Sequence, residues 1–318
     1  TVQVNGGATL TVGNAAAFSN SAAVTVATGG TLTLAAAKPA ATLDLSGTLG
    51  GDTFALTASG GITLRAGALV QTPIGGGALT VAAGGGSATL QRASSAATVA
   101  VSAGTLVVDT GGSLDDAAAL TVASGATLRV DAADTIASLS LAGTLSGAAT
   151  LSTGTLTANG AAANIRSTLS VATSSTVASG TLTVGDGASA GALTGAGTLA
   201  VSTGATLSFD RNGPIALGNI GGTGGTLRRA GGSGALTLNG TAPNITTVQV
   251  DAGSFVLADG SDDRLGNGAS VGVAAGATFT LGTSNEAIGS LTLAGTLSGT
   301  GTLSAGTYAL QPGALVGS

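Results

Sequence analysis

Residues 117–157 read AAALTVASGATLRVDAADTIASLSLAGTLSGAATLSTGTLT. Leu, Val or Ile alternates with Thr, Ser or another polar residue, as in Leu120-Thr121-Val122 and Leu139-Ser140-Leu141. On an extended strand that alternation puts the aliphatic side chains on one face and the hydroxyls on the other. Thr and Val are β-branched and suit the pleat, while Gly125 and Gly143 open phrases where the backbone must turn. The same phrase recurs along the chain: GATLTV at 7–12, GGTLTL at 29–34, GALTV at 77–81, GTLVV at 104–108, GTLTV at 180–184, GTLAV at 197–201, GATLSF at 204–209 and GATFTL at 276–281. No stretch of helical length keeps a 3.6-residue period of aliphatics with charges opposite, so the chain is read as all-β. Asn-Gly pairs, among them Asn5-Gly6, Asn212-Gly213, Asn239-Gly240 and Asn267-Gly268, mark corners where both residues tolerate positive φ.

Repeat length separates an antiparallel sandwich from a coil. Leu10, Leu32, Leu56, Leu79 and Val101 follow one another at 22 to 24 residues, as do Val256, Phe279 and Leu303. The expected fold is a single-stranded parallel β-helix (β-solenoid) of about 22–24 residues per turn, or about 14 turns, right-handed as most parallel crossovers are. A longer repeat lies over it: residues 138–155 and 290–307 agree at 14 of 18 positions without a gap. The expected organisation is one continuous solenoid over 1–318, with duplicated units near 117–157 and 269–310 and irregular turns near 210–265. The even text from 276 to 310 is expected to be the most stable part. Leu145 and Leu297, matched in the duplication, are expected to point inward, and so is Tyr308, which matches Leu156.

Composition excludes several functions. Glycine makes up 56 of 318 residues and charged residues only 7%. The net charge is −5, and Lys38 and eight arginines form no cationic face for phosphates, so no nucleic-acid partner is expected. No apolar run is long enough for a membrane helix, and the scarcity of aromatic residues argues against an outer-membrane barrel, so the segment is read as not membrane-spanning. Absence of cysteine removes disulfides and thiolate chemistry, and suits a protein exported unfolded. Thr1 in place of methionine leads to the expectation of a segment of something longer.

Three phrases, SAAVTVATGGTLTL (21–34), the 117–157 stretch and DRLGNGASVGVAAGATFTLGTSNEAIGSLTLAGTLSGTGTLSAGTYAL (263–310), resemble the autotransporter-associated β-strand repeats of type V secreted passenger domains in Gram-negative bacteria. The resemblance covers about two thirds of the chain and is poor over about 210–250. It implies a right-handed β-helical stalk or adhesin segment, exported and displayed outside the outer membrane, with self-association or contact with cell-surface polysaccharide as the partners to consider. A subunit of an extracellular fibre or layer built from associating solenoids is the alternative.

Chemistry-bearing residues are few: no His, no Cys, one Lys and one Glu. Asp115-Asp116 and Asp262-Asp263 could pair as the acid and base of a polysaccharide-cleaving β-helix, but adjacent strand residues face opposite ways and solvated turn charges are the plainer reading. Asp259, Ser261, Asp262 and Asp263 could offer oxygens to calcium; the closing glutamate of a calcium loop is missing, and an acidic turn is preferred. The glycine runs at 84–86 and 221–225 lack the Gly-Lys-Ser/Thr ending of a phosphate loop. No catalytic, cofactor-binding or metal-ligating residue is assigned, and no enzymatic activity is expected.

Overall fold

The computed structural model describes residues 1–51, 53–188 and 191–317. The chain is an all-β parallel β-solenoid of about 16 turns, and no helix occurs among the described residues. Contacts divide it into two compact units, Thr1–Leu156 with Ser167–Ala172, and Thr157–Arg166 with Thr173–Ser318.

In the first unit, successive coils stack their strands in columns. One column runs through Val2–Val4, Ala23–Val26, Thr42–Leu45, Ile62–Leu64 and on into Leu79–Leu90. A second runs through Thr9–Val12, Thr31–Leu34, Thr48–Gly50 and Leu69–Val70. A third, shorter column holds Lys38–Ala40, Leu56–Ala58 and Ile74–Gly76. Alternation dictates what each column buries. Val24, Leu43, Ile62, Leu79, Val99, Leu120 and Leu139 are consecutive register partners, and each is at most 2% exposed. Each such aliphatic contributes about 1.5–3 kcal/mol relative to leaving it in water, and parallel pairing satisfies the backbone between rungs.

The second unit repeats the plan. One column passes through Thr181–Gly185, Thr206–Asp210, Thr226–Gly231, Thr247–Val250, Ser270–Val273, Glu286–Leu293 and Leu303–Leu310. Another passes through Ile215–Leu217, Ala235–Leu238, Ser254–Leu257, Thr278–Thr280, Thr296–Ser298 and Leu315–Val316. Phe255 and Phe279, register partners in the latter, are fully buried with ring centroids 5.9 Å apart.

The solenoid agrees with the sequence, but the register departs from it. Leu10 pairs with Leu32 as expected, yet Leu32 pairs next with Leu49, 17 residues on. Leu56 belongs to the short third column, and Leu79 lies between Ile62 and Val99. Phe279 pairs with Phe255 and Leu297, not with Val256 and Leu303. Steps run from 17 residues to the 25 between Leu182 and Leu207. Corners of unequal length produce this spread, which is why about 16 turns form instead of about 14. The segment 210–265 is not a run of irregular turns either, because six strands between Ile215 and Leu257 occupy it.

Glycine serves close stacking as much as corner geometry. None of Gly6, Gly213, Gly240 and Gly268 has positive φ. A Cβ on Gly6 would lie 2.8 Å from the Thr28 carbonyl oxygen, and one on Gly240 2.4 Å from the Asn219 nitrogen. The left-handed residue of the first corner is instead Gly7, with φ 75°. The internal duplication is structural as well. Gly143 and Gly295 have the same surroundings, since a Cβ on either would sit 2.3 Å from two carbonyl oxygens, those of Ala123 and Ala126 or of Ala274 and Ala277.

Candidate functional site

The acidic corner at 259–263 is the densest group of carboxylates in the sequence, and the fold uses its oxygens to hold the following rung. Asp259 Oδ1 accepts from the Thr283 backbone N–H at 2.7 Å and from its hydroxyl at 3.0 Å. Asp262 Oδ1 accepts from Asn285 N–H at 2.7 Å, and Asp263 Oδ1 from Ala287 N–H at 3.1 Å. Asp263 itself has φ 51°, a left-handed conformation that Asp tolerates better than most residues. Arg264 is buried beneath this corner, and its guanidinium donates to the carbonyls of Ala258, Asp259, Asn239 and Gly240. One cation thus ties two rungs together through neutral oxygens.

Asp115 is equally local: its Oδ1 accepts from Ala117 N–H at 2.9 Å, and its carbonyl from Ala118 N–H. Among the described residues no three of His, Cys, Asp and Glu gather in a way that could hold a metal ion. The glycines at 84–86 lie inside the strand Leu79–Leu90, where its pairing with Thr98–Val108 shifts register. Leu145 and Leu297 point inward as expected, at 0% and 9% exposure. Tyr308 departs from expectation. It keeps the inward register, opposite Leu291, but is 53% exposed, and its hydroxyl folds back to donate to Leu303 O and accept from Ala305 N–H. Its counterpart Leu156 is 1% exposed.

Two buried carboxylates escaped the sequence reading. Asp134 Oδ2 accepts from Ser113 and Leu114 N–H, both at 3.0 Å, and its Oδ1 from Thr135 N–H at 2.8 Å. Glu286 accepts from Arg264 N–H on one oxygen and Leu265 N–H on the other, both at 2.9 Å. Each carboxylate therefore clamps two consecutive amides of the preceding rung. Burial pushes both pKa values up, against the lowering effect of those amide donors; Asp116 adds to the rise at Asp134 and Asp263 at Glu286, where the Arg264 charge opposes it. A signal was present in the text. Asp134-Thr-Ile-Ala-Ser-Leu-Ser-Leu and Glu286-Ala-Ile-Gly-Ser-Leu-Thr-Leu are the same phrase, opened each time by an acid.

Two buried cations were missed as well. Lys38 Nζ donates to the Ala15 and Phe18 carbonyls and to Asn20 Oδ1, and stands 4.4 Å from the Phe18 ring centroid. Arg229 is fully buried, donates to the carbonyls of Phe209, Arg211 and Gly234, and has its pKa lowered chiefly by burial. Both bind carbonyl oxygens, so their work is to hold loops. The polar chemistry of these corners is architectural, and the class it defines is a parallel β-solenoid whose rungs are laced by side-chain-to-backbone bonds. The chain matches no protein-family model, no curated protein and no solved structure.

Proposed function

We propose that the chain is a non-enzymatic structural stalk or adhesin segment of a secreted protein displayed on the surface of a Gram-negative bacterium. The observation that carries the reading is the use made of the acids: Asp259, Asp262, Asp263 and Glu286 all accept from backbone amides of a neighbouring rung. A carboxylate engaged in this way is a poor proton shuttle, and the chain has no His or Cys to take its place. What remains is mechanical. Stacked rungs transmit load through parallel backbone ladders, and outward Thr and Ser keep the surface wettable with little charge. The repeat phrases that resemble autotransporter passengers support the surface location.

Two experiments test this. Incubation with pectin, alginate and comparable polysaccharides should give no new reducing or unsaturated ends; turnover abolished by Asp262→Asn or Asp115→Asn would overturn the non-enzymatic reading. Antibodies raised against the chain should label intact cells of the source bacterium, and labelling only after the envelope is permeabilised would overturn the surface reading.

A further inference from the structure

One outward column of the first unit differs in chemistry from the Thr and Ser that cover most of the solenoid. The register that pairs Thr33 with Gly50 and Leu69 with Thr48 and Thr89 carries Gly50, Gln71, Gln91 and Asp109 along a single line, one residue per rung. Backbone bonds Gln71 N–H to Leu49 O, Gln91 N–H to Val70 O and Asp109 N–H to Leu90 O continue that line past the strand ends. The side chains are ordered among themselves. Gln71 Nε2 donates to Gln91 Oε1 at 3.2 Å, and Gln91 Nε2 donates to Asp109 Oδ2 at 2.8 Å. Each amide nitrogen keeps a second N–H, because only one of its two protons is used in this relay. Gly50 interrupts the column: a Cβ there would have only the Thr33 hydroxyl near it, at 3.9 Å, so its rung is open next to Gln71. A groove of about 410 Å³ follows, lined by Gly50, Gly51, Gln71, Gln91, Arg92 and Thr110.

An aromatic residue lies beside it. Phe54 is 41% exposed, the only exposed large hydrophobic of the first unit, and its carbonyl accepts from the hydroxyl of the buried Thr72, the residue after Gln71. An exposed ring held next to a fixed relay of amides and a carboxylate is the combination that recognises a sugar, whose C–H face packs on the ring while its hydroxyls meet planar donors and acceptors. The rungs are ~4.8 Å apart, comparable to the length of one pyranose unit, so a glycan running along the column meets one polar side chain per sugar. Asp109 and, one rung on, Asp131 with its Arg129 partner at 2.9 Å place carboxylates along the line, and the chain carries a net charge of −5. Those charges repel a polyanion and select a neutral glycan.

We infer that the Gly50–Gln71–Gln91–Asp109 column with Phe54 is a binding site for a neutral, hydroxyl-rich polysaccharide chain laid along the stack of rungs. This goes beyond the structural role proposed above, since a stalk without saccharide affinity would still be a stalk. The test is titration of the whole chain with cellohexaose and maltohexaose as neutral probes and hexagalacturonate as the acidic one, followed by calorimetry and by amide chemical shifts. At least one neutral hexasaccharide should bind and shift the amides of Phe54, Gln71 and Gln91. Gln91→Ala and Phe54→Ala, both at surface side chains, should each raise Kd about tenfold, with unchanged melting and circular dichroism; Gln249→Ala in the second unit should leave Kd as it was. If neither neutral probe binds, if hexagalacturonate binds as tightly or more tightly, or if Gln91→Ala binds like the parent, the inference fails.

Discussion

A charge or a β-carbon at a single position decides how well one rung sits on the next. Leu145 is fully enclosed between register partners, so Leu145→Asp leaves an unpaired carboxylate in the stack and should cost several kcal/mol. Leu297→Asp, at a position already 9% exposed, should cost less. Chemical melts of the two variants measure the order, and a Leu145→Asp protein as stable as the parent would refute the inward assignment. The carboxylate clamps make a pH prediction. Asp134 and Glu286 have folded pKa values above their unfolded ones, so the folded state binds their protons more tightly. Their favourable contribution is complete below the unfolded pKa, near pH 4, and is lost as the pH rises through the raised folded values. Asp134→Asn and Glu286→Gln remove that dependence. Relative to the parent, each variant should look worst near pH 4 and best near pH 7, read from urea midpoints at the two pH values; a deficit that grows with pH would contradict the sign.

At the scale of a strand and its corner, the duplication supplies an internal control. Gly143 and Gly295 face the same pair of carbonyl oxygens at the same 2.3 Å from a hypothetical Cβ. Alanine at either should force the corner away from the rung beneath it and cost about 1–3 kcal/mol, nearly equally at both sites. Gly125→Ala is the contrast, because a Cβ there meets nothing within 4 Å and only the φ of 76° opposes it. If thermal melts rank Gly125→Ala as the more damaging, then rung clearance is not what those glycines provide. The same clearance explains why 210–265 looked irregular in the text yet forms strands. Gly222 and Gly234 would each bring a Cβ within 2.3 Å of a carbonyl oxygen of the adjacent rung, so they are there for contact between backbones, not for a loop.

For the molecule as a whole, a solenoid's stability is a sum of rung and neighbour terms, so protection follows how fully a rung is covered on both sides. The even text of 276–310 suggested the most stable region. Burial places it elsewhere: in Leu303–Leu310 every residue is partly or fully exposed, with Leu310 at 59%. Hydrogen exchange should therefore be fastest in 303–316 and slow in Thr98–Val108, whose strand is paired on both sides by Leu79–Leu90 and by Ala119–Val122 with Thr127–Val130. Thr226–Gly231, likewise paired on both sides, should be protected within its own unit. Uniform protection over 303–316 and 98–108 would show that rung coverage does not govern opening here.

The alternation of Leu and Val with Thr and Ser, repeated at near-constant intervals, was enough by itself to dictate strands, their inward faces and their parallel stacking, because side-chain period and coil period are both local properties of the text. Leu145 and the paired phenylalanine position at 279 were legible on that ground. Register was not, since it depends on how many residues each corner consumes, and leucine is common enough for several alignments to look regular. Nor could the text say which acids are clamps. Asp134 and Glu286 become distinct from Asp115 only when the coil brings the preceding rung's amides over them, and Gln71, Gln91 and Asp109, about twenty residues apart in sequence, become one relay only when three rungs are stacked. Interactions between rungs join residues that are far apart along the chain, so only the tertiary structure decides them.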